Sequence, residues 1–384
     1  MIRNPSGPAP AGQIYLNNAA TSWPKPECVA EAARRALLAP PGSMHRGGLE
    51  AFDVFDAVRR ELAIRLGISD PAQIALGPNA TWALNLALWG VPFCSCRQPL
   101  VVTTKAEHNS VLRPLYELER RGILRVIYLN TDETGRVPLT AWQNAMHQYR
   151  PALAVFTHAS NVTGAVHDAS AMTAAAKKSG AYVLIDASQT LGWLDLEAEA
   201  WGADMVAFTG HKYLLGPQGT GGLWVRKGLQ LRPLLTGGTG IRSDMDTMPS
   251  EMPLHLEAGT GNEPSFHGLL AALLWAAEHP RDTGACEEKL EKLRRGLVQA
   301  GATVIVPEGP CTPVVSFTIP GETVSDAGFI LQESYDVICR TGLHCAPKLF
   351  SCLHIPETIR LSLSRFTTME EIEAVISAVE DMIL

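Results

Sequence analysis

Between Leu100 and Val225, short apolar runs alternate with helical stretches, and several of the runs end on polar residues. Leu100–Thr104, Val126–Leu129, Ala152–Thr157, Tyr182–Asp186 and Asp204–Phe208 have strand length and are apolar at successive positions. A strand of that kind is covered on both faces. Leu139–Tyr149 and Ala169–Lys178 supply helices in between, so the chain is α/β, with a mainly parallel sheet sandwiched by helices. Such sheets bind ligands beyond the carboxyl ends of their strands. Chemistry is therefore sought first at Asp186, which closes one run, and at Phe208-Thr209-Gly210-His211-Lys212, which closes another.

Composition narrows the function classes. The 384 residues are 46% hydrophobic and 18% charged, with net charge −7. That suits a folded protein with a sizeable core. No basic stripe appears, which argues against nucleic-acid binding. The longest apolar run, Leu269 to Ala277, is too short to span a bilayer. The N-terminal residues lack an apolar leader core, so a soluble cytoplasmic protein is expected. Eight cysteines without a Cys-x-x-Cys pair suggest neither a disulfide scaffold nor a metal site, and Cys94-Ser95-Cys96 reads as a loop.

The remaining elements follow from pattern. Ile14–Thr21 reads as a short strand running into a polar turn, and Glu27–Leu38 as a helix. Apolar residues at Leu49, Phe52, Val54, Phe55, Val58, Leu62 and Leu66 predict an amphipathic helix over 49–66. Ile74-Ala75-Leu76 runs into Gly77-Pro78-Asn79-Ala80-Thr81 and a helix. That is a strand, a turn and a helix N-terminus suited to a phosphate, although Asn79 also reads as a plain N-cap. A helix near 265–278 then hands over to a compact α+β unit. The predicted organisation is a segment over 1–26 that packs with the small domain, a large domain over 27–270, and a small C-terminal domain over 271–384.

At the strand ends each residue has two readings. Asp186 can cap a helix, or hold a protonated ring nitrogen. Lys212 can be a solvated turn residue, or an amine whose pKa falls in a desolvated pocket so that it attacks a carbonyl. His108, just past Leu100–Thr104, can cap a helix or face solvent. Cys345 can be a small buried hydrophobe, or a thiol whose thiolate is favoured by its neighbours His344 and Arg340.

Taken together, Ile185-Asp186-Ala187-Ser188-Gln189 and Thr209-Gly210-His211-Lys212 resemble the class V aminotransferase family, in its cysteine desulfurase and selenocysteine lyase branch. The resemblance implies a fold type I enzyme whose large domain holds a seven-stranded-type sheet and binds pyridoxal 5′-phosphate. It implies that Lys212 carries the cofactor as a Schiff base, that Asp186 pairs its ring nitrogen and that His108 stacks on the ring. Gln189 and Asn161 would meet the phenolic oxygen. Ala80, Thr81, Thr209 and His211 would hold the phosphate, with Gly259 and Thr260 reaching the phosphate of a partner subunit, hence a homodimer. Asn18, Ala19, Arg46, Arg340 and Arg360 fall on the substrate side.

Reaction type rests on Arg340-Thr341-Gly342-Leu343-His344-Cys345-Ala346, which resembles the thiol segment of group II cysteine desulfurases. There Cys345 would take sulfur from L-cysteine as a persulfide, leaving L-alanine and requiring a sulfur-acceptor protein. Leu343 and Ala346–Phe350 depart from the family pattern. L-selenocysteine as substrate, another β-lyase or aminotransfer reaction, and a non-catalytic sulfur carrier are the alternatives.

Overall fold

The structure, a computed structural model, describes residues 12–40, 52–93 and 98–383. Its centre is a seven-stranded sheet in the order β2 (Ile74–Gly77), β8 (Gly221–Val225), β7 (Met205–Thr209), β6 (Tyr182–Asp186), β5 (Leu153–Thr157), β3 (Leu100–Thr104) and β4 (Arg125–Leu129). All neighbouring pairs are parallel except those made by β8, which runs against β2 and β7. The apolar runs are continuous because alternate side chains enter two different cores. On β6, Val183 and Ile185 pack into one core and Leu184 into the other.

Helices α2 (Val54–Leu66), α5 (Leu139–Tyr149), α6 (Ala169–Lys178) and α8 (Glu263–Glu278), with the short α7 (Ala198–Trp201), cover the first face. Helices α3 (Ala80–Gly90) and α4 (Asn109–Arg120) cover the second. α1 (Glu27–Leu38) lies outside against α8, with Val29 and Ala272 in one apolar cluster.

Two expectations are corrected. The helix predicted from Leu49 begins at Val54, where the Asp53 side chain accepts from the Phe55 N–H. Phe52 is 61% exposed, and Leu49 lies outside the described residues. The boundary expected at 270/271 falls inside α8, which stays in the large core as far as Leu273. The helix that His108 caps is α4, which carries Pro114 inside it.

A four-stranded antiparallel sheet, β12 (Arg340–Gly342), β13 (Thr358–Ser362), β10 (Val314–Thr318) and β9 (Thr303–Ile305), forms a separate layer. It shares an apolar core with α9 (Thr283–Gln299), α10 (Val324–Tyr335) and α12 (Met369–Ile383). β1 (Ile14–Tyr15) pairs with β11 (Val337–Ile338), so the N-terminal segment joins this unit and Leu16 enters its core. A last helix, α11 (Pro347–Leu353), follows Cys345. No helix among the described residues is long and apolar enough to cross a membrane.

Candidate active site

The carboxyl ends of β5, β6 and β7 face a cavity of about 210 Å³. Thr157, Asp186 and Thr209, the last residues of these strands, line it together with Lys212. The N-terminus of α3 closes one side through Asn79, Ala80 and Thr81, while Arg340 and Arg360 arrive from the four-stranded sheet. The N-terminal turn is held here by the His211 carbonyl, which accepts from the Ser22 N–H at 2.9 Å and the Thr21 hydroxyl at 3.1 Å.

Lys212 Nζ has no hydrogen-bond partner among the described residues, and burial pulls this ammonium down to about 8. The Asp186 carboxylate opposes that shift, while Arg360 and Arg340 add to it. Desolvation disfavours whichever form carries charge, so burial also raises the Asp186 carboxyl. Two donors from Ser188, its N–H and its hydroxyl, work against that rise on one carboxylate oxygen. The other oxygen has no partner among the described residues. Behind Asp186 lies a fully buried acid, Glu107, pushed up to about 8 by burial. Its Oε1 accepts from the Thr157 N–H and from Thr104, and Thr157 is the register partner of Asp186.

His108 both caps a helix and lines the cavity. Its Nδ1 accepts from the Ser110 N–H at 3.0 Å and lies 2.7 Å from the Ser110 hydroxyl. That hydroxyl is in turn 2.9 Å from Thr81. Burial, with Lys212 and then Arg340 and Arg360 adding to it, lowers His108 to about 3, so the ring is neutral near pH 7. A neutral imidazole that accepts at Nδ1 carries its proton on Nε2.

On the other wall, Arg340 and Arg360 are direct cross-strand partners between β12 and β13. Like charges so placed repel. Burial, then Arg340, lowers Arg360 to about 10. Arg360 donates to the Asn161 carbonyl at 2.8 Å and to Asn17 Oδ1 at 3.1 Å, yet its buried Nε has no partner among the described residues. Arg340 Nη2 donates to Cys345 Sγ at 3.1 Å. His344, the neighbour expected to favour the thiolate, is turned away. Its Nε2 lies 2.9 Å from Thr358 Oγ1, and burial drives the ring down to about 2, so it is uncharged. The cation at the sulfur is Arg340.

Residues 14–375 match the family model of the class-V aminotransferases. The chain belongs to this family. Among curated relatives of this chain, "Probable cysteine desulfurase" of Pyrococcus abyssi is 29% identical, with 96% of this chain and 94% of that protein covered. "Probable cysteine desulfurase 2" of Mycobacterium leprae is 31% identical, with 95% and 90% covered. The solved apo structure of a cysteine desulfurase from Thermococcus onnurineus superposes with a TM-score of 0.87 at 27% identity, covering 97% of this chain and 94% of that one.

Of the residues predicted for the site, the cavity gathers Ala19, Ala80, Thr81, His108, Asn161, Asp186, Gln189, Thr209, His211, Lys212, Arg340 and Arg360, while Cys345 stands beside it on Arg340. Asn18 is not among its lining residues. Its amide donates to the Ser362 and Tyr15 carbonyls and accepts from the Trp23 N–H, so it shapes the turn and has no polar atom left for a substrate. Gly259 and Thr260 are exposed and also outside the cavity. Arg46 lies outside the described residues, as do Cys94 and Cys96. Sequence reasoning missed Ser110, Ser188 and Glu107. For Ser110 the signal was present, because a residue two places after an N-cap is where a cap bond lands.

The donor set fits a phosphorylated pyridine aldehyde. Gln189 Oε1 and His211 Nδ1 are buried at the cavity without partners among the described residues. The N–H groups of Ala80 and Thr81 open α3 with no acceptor among the described residues, the arrangement that receives phosphate. An amine and a carboxylate complete the set.

Proposed function

We propose that this chain is a pyridoxal-phosphate-dependent cysteine desulfurase that converts L-cysteine to L-alanine. The observation that carries this reading is a thiol, Cys345, held by Arg340 beside a cavity that contains Lys212 and Asp186. In this reading the large domain, which runs on into α8, holds the cofactor, and the small C-terminal domain carries the thiol.

Ala80, Thr81, Thr209 and His211 would hold the phosphate, Asp186 the ring nitrogen, His108 the ring face, and Gln189 and Asn161 the phenolic oxygen. When bound, the cofactor supplies an electron sink for charge developing at the substrate Cα. Arg360, with Arg340 beside it, receives the α-carboxylate, and that anion relieves the repulsion between the two guanidiniums. Lys212, about half neutral near pH 8, accepts the Cα proton at Nζ. Cys345 Sγ then bonds to the substrate sulfur as the Cβ–S bond breaks. The carbon keeps the electron pair and gains a proton, leaving alanine and a Cys345 persulfide. A thiol on an acceptor protein removes the outer sulfur.

The family's dimeric site motivates a homodimer here, with Gly259 and Thr260 exposed on the surface. The cytoplasm, where thiols stay reduced, suits this cysteine chemistry. The test is sulfide and alanine release from L-cysteine with a reductant, in the wild type, Cys345→Ala and Lys212→Ala. Both products are expected from the wild type, with sulfide abolished in either variant. Cofactor-loaded wild type that yields neither product would sink the reading.

A further inference from the structure

The Cys345 turn is in a conformation its own sequence does not favour. His344 and Cys345 have φ of +46° and +60°, two successive non-glycine residues in the left-handed region. Such residues persist when surrounding contacts over-determine them. Inside the turn, the Ala346 N–H donates to the Leu343 carbonyl at 2.8 Å. The ties from outside come from the large domain. Asn161 Nδ2 donates to the His344 carbonyl at 2.6 Å, and the Asn109 N–H donates to the Cys345 carbonyl at 2.7 Å.

Asn161 is 7% exposed and follows β5. Turned over, its amide would set Oδ1 against the His344 carbonyl oxygen, so the donor orientation is fixed by its partner. Oδ1 has no partner among the described residues, and Asn161 lines the cavity. The same residue's backbone carbonyl takes the Arg360 guanidinium. One asparagine therefore touches the thiol-bearing turn, the carboxylate-binding arginine and the cavity.

We propose that Asn161 is a positioning residue for the Cys345 thiol, and that its side-chain amide holds the turn in the left-handed conformation that keeps Sγ against Arg340 at the cavity wall. This deepens the desulfurase reading and rests on it only for activity; the tie itself is a property of the fold. Because Arg360 is held through the Asn161 backbone, side-chain substitution leaves that contact in place. Losing the amide donor loosens the turn and slows sulfur transfer while disturbing carboxylate binding little.

The experiment is hydrogen–deuterium exchange on peptides covering 342–348, with steady-state kinetics on L-cysteine. The proteins are the cofactor-loaded wild type, Asn161→Asp, Asn161→Ala and Gln189→Leu. Asn161→Asp keeps the shape but faces the His344 carbonyl with an acceptor. Gln189 lines the same cavity, but its amide donates to the Ala19 carbonyl and does not touch the turn. Exchange in the turn is expected to rise about tenfold in both Asn161 variants and to stay unchanged in Gln189→Leu. kcat should fall about tenfold in the Asn161 variants, with KM within a factor of about three. Unchanged exchange in the Asn161 variants overturns the proposal. So does equal loosening in all three variants, which would mark a cavity-wide effect. If L-cysteine proves not to be a substrate, the exchange result still decides the matter.

Discussion

Acidification should destabilise this protein through His167, and the structure sets the size of the effect. The ring is 2% exposed in the wall behind the cavity. Its Nδ1–H donates to the Thr157 carbonyl at 2.9 Å, and its Nε2 accepts from the Val137 N–H at 3.1 Å. That pair of bonds defines one neutral tautomer. A second proton on Nε2 would face the Val137 N–H donor to donor. Burial, helped by Arg136 and opposed by the Thr157 carbonyl and Asp132, lowers the ring to about 4. The unfolded chain titrates near about 6.5. The folded value lies below the unfolded one, so the unfolded state takes up the proton first as pH falls. The contribution is complete above about 6.5 and is lost toward about 4. Between pH 7 and 5 the loss is about 2 kcal/mol. Guanidinium unfolding of the wild type and His167→Gln at pH 7, 6 and 5, with cofactor saturating and protein concentration fixed, measures it. Glutamine can accept from Val137 and donate to Thr157 at every pH. Its stability should therefore fall by about 2 kcal/mol less than the wild type's over this interval. Equal losses in the two proteins would show that His167 is already protonated, or not buried, and would refute the argument.

Two further outcomes follow from the same geometry. Arg360→Gln should lower kcat/KM for L-cysteine by about a hundredfold, chiefly by raising KM, with Arg360→Lys falling less; steady-state kinetics showing an unchanged KM would remove Arg360 from carboxylate binding. Gly222→Ala should lower the melting temperature, because a Cβ there would lie 2.7 Å from the Ala75 carbonyl oxygen and 2.6 Å from the Phe208 ring. The cost of such overpacking is about 1–3 kcal/mol, and a thermal scan with an unchanged midpoint would contradict it.

The sequence alone determined the sheet. Tyr182–Asp186 reads as a buried strand because apolar side chains at successive positions require cover on both sides, and Ile185 and Leu184 do enter opposite cores. Strand ends were legible for the same reason, and with them Asp186 and Lys212. Where local signals conflicted, the reading failed. Phe52 kept the helical period but lies outside α2, since the Asp53 cap sets where that helix starts. What only the tertiary structure decided is which neighbour each side chain turns to. His344 adjoins Cys345 in sequence but turns to Thr358, and the guanidinium at the thiol belongs to Arg340. Asn161 reaches a carbonyl 183 residues away. Strand and helix periods repeat within a few residues, so a sequence displays them. Which residues of the large domain hold the Cys345 turn depends on how two separately packed cores meet, and no local period encodes that.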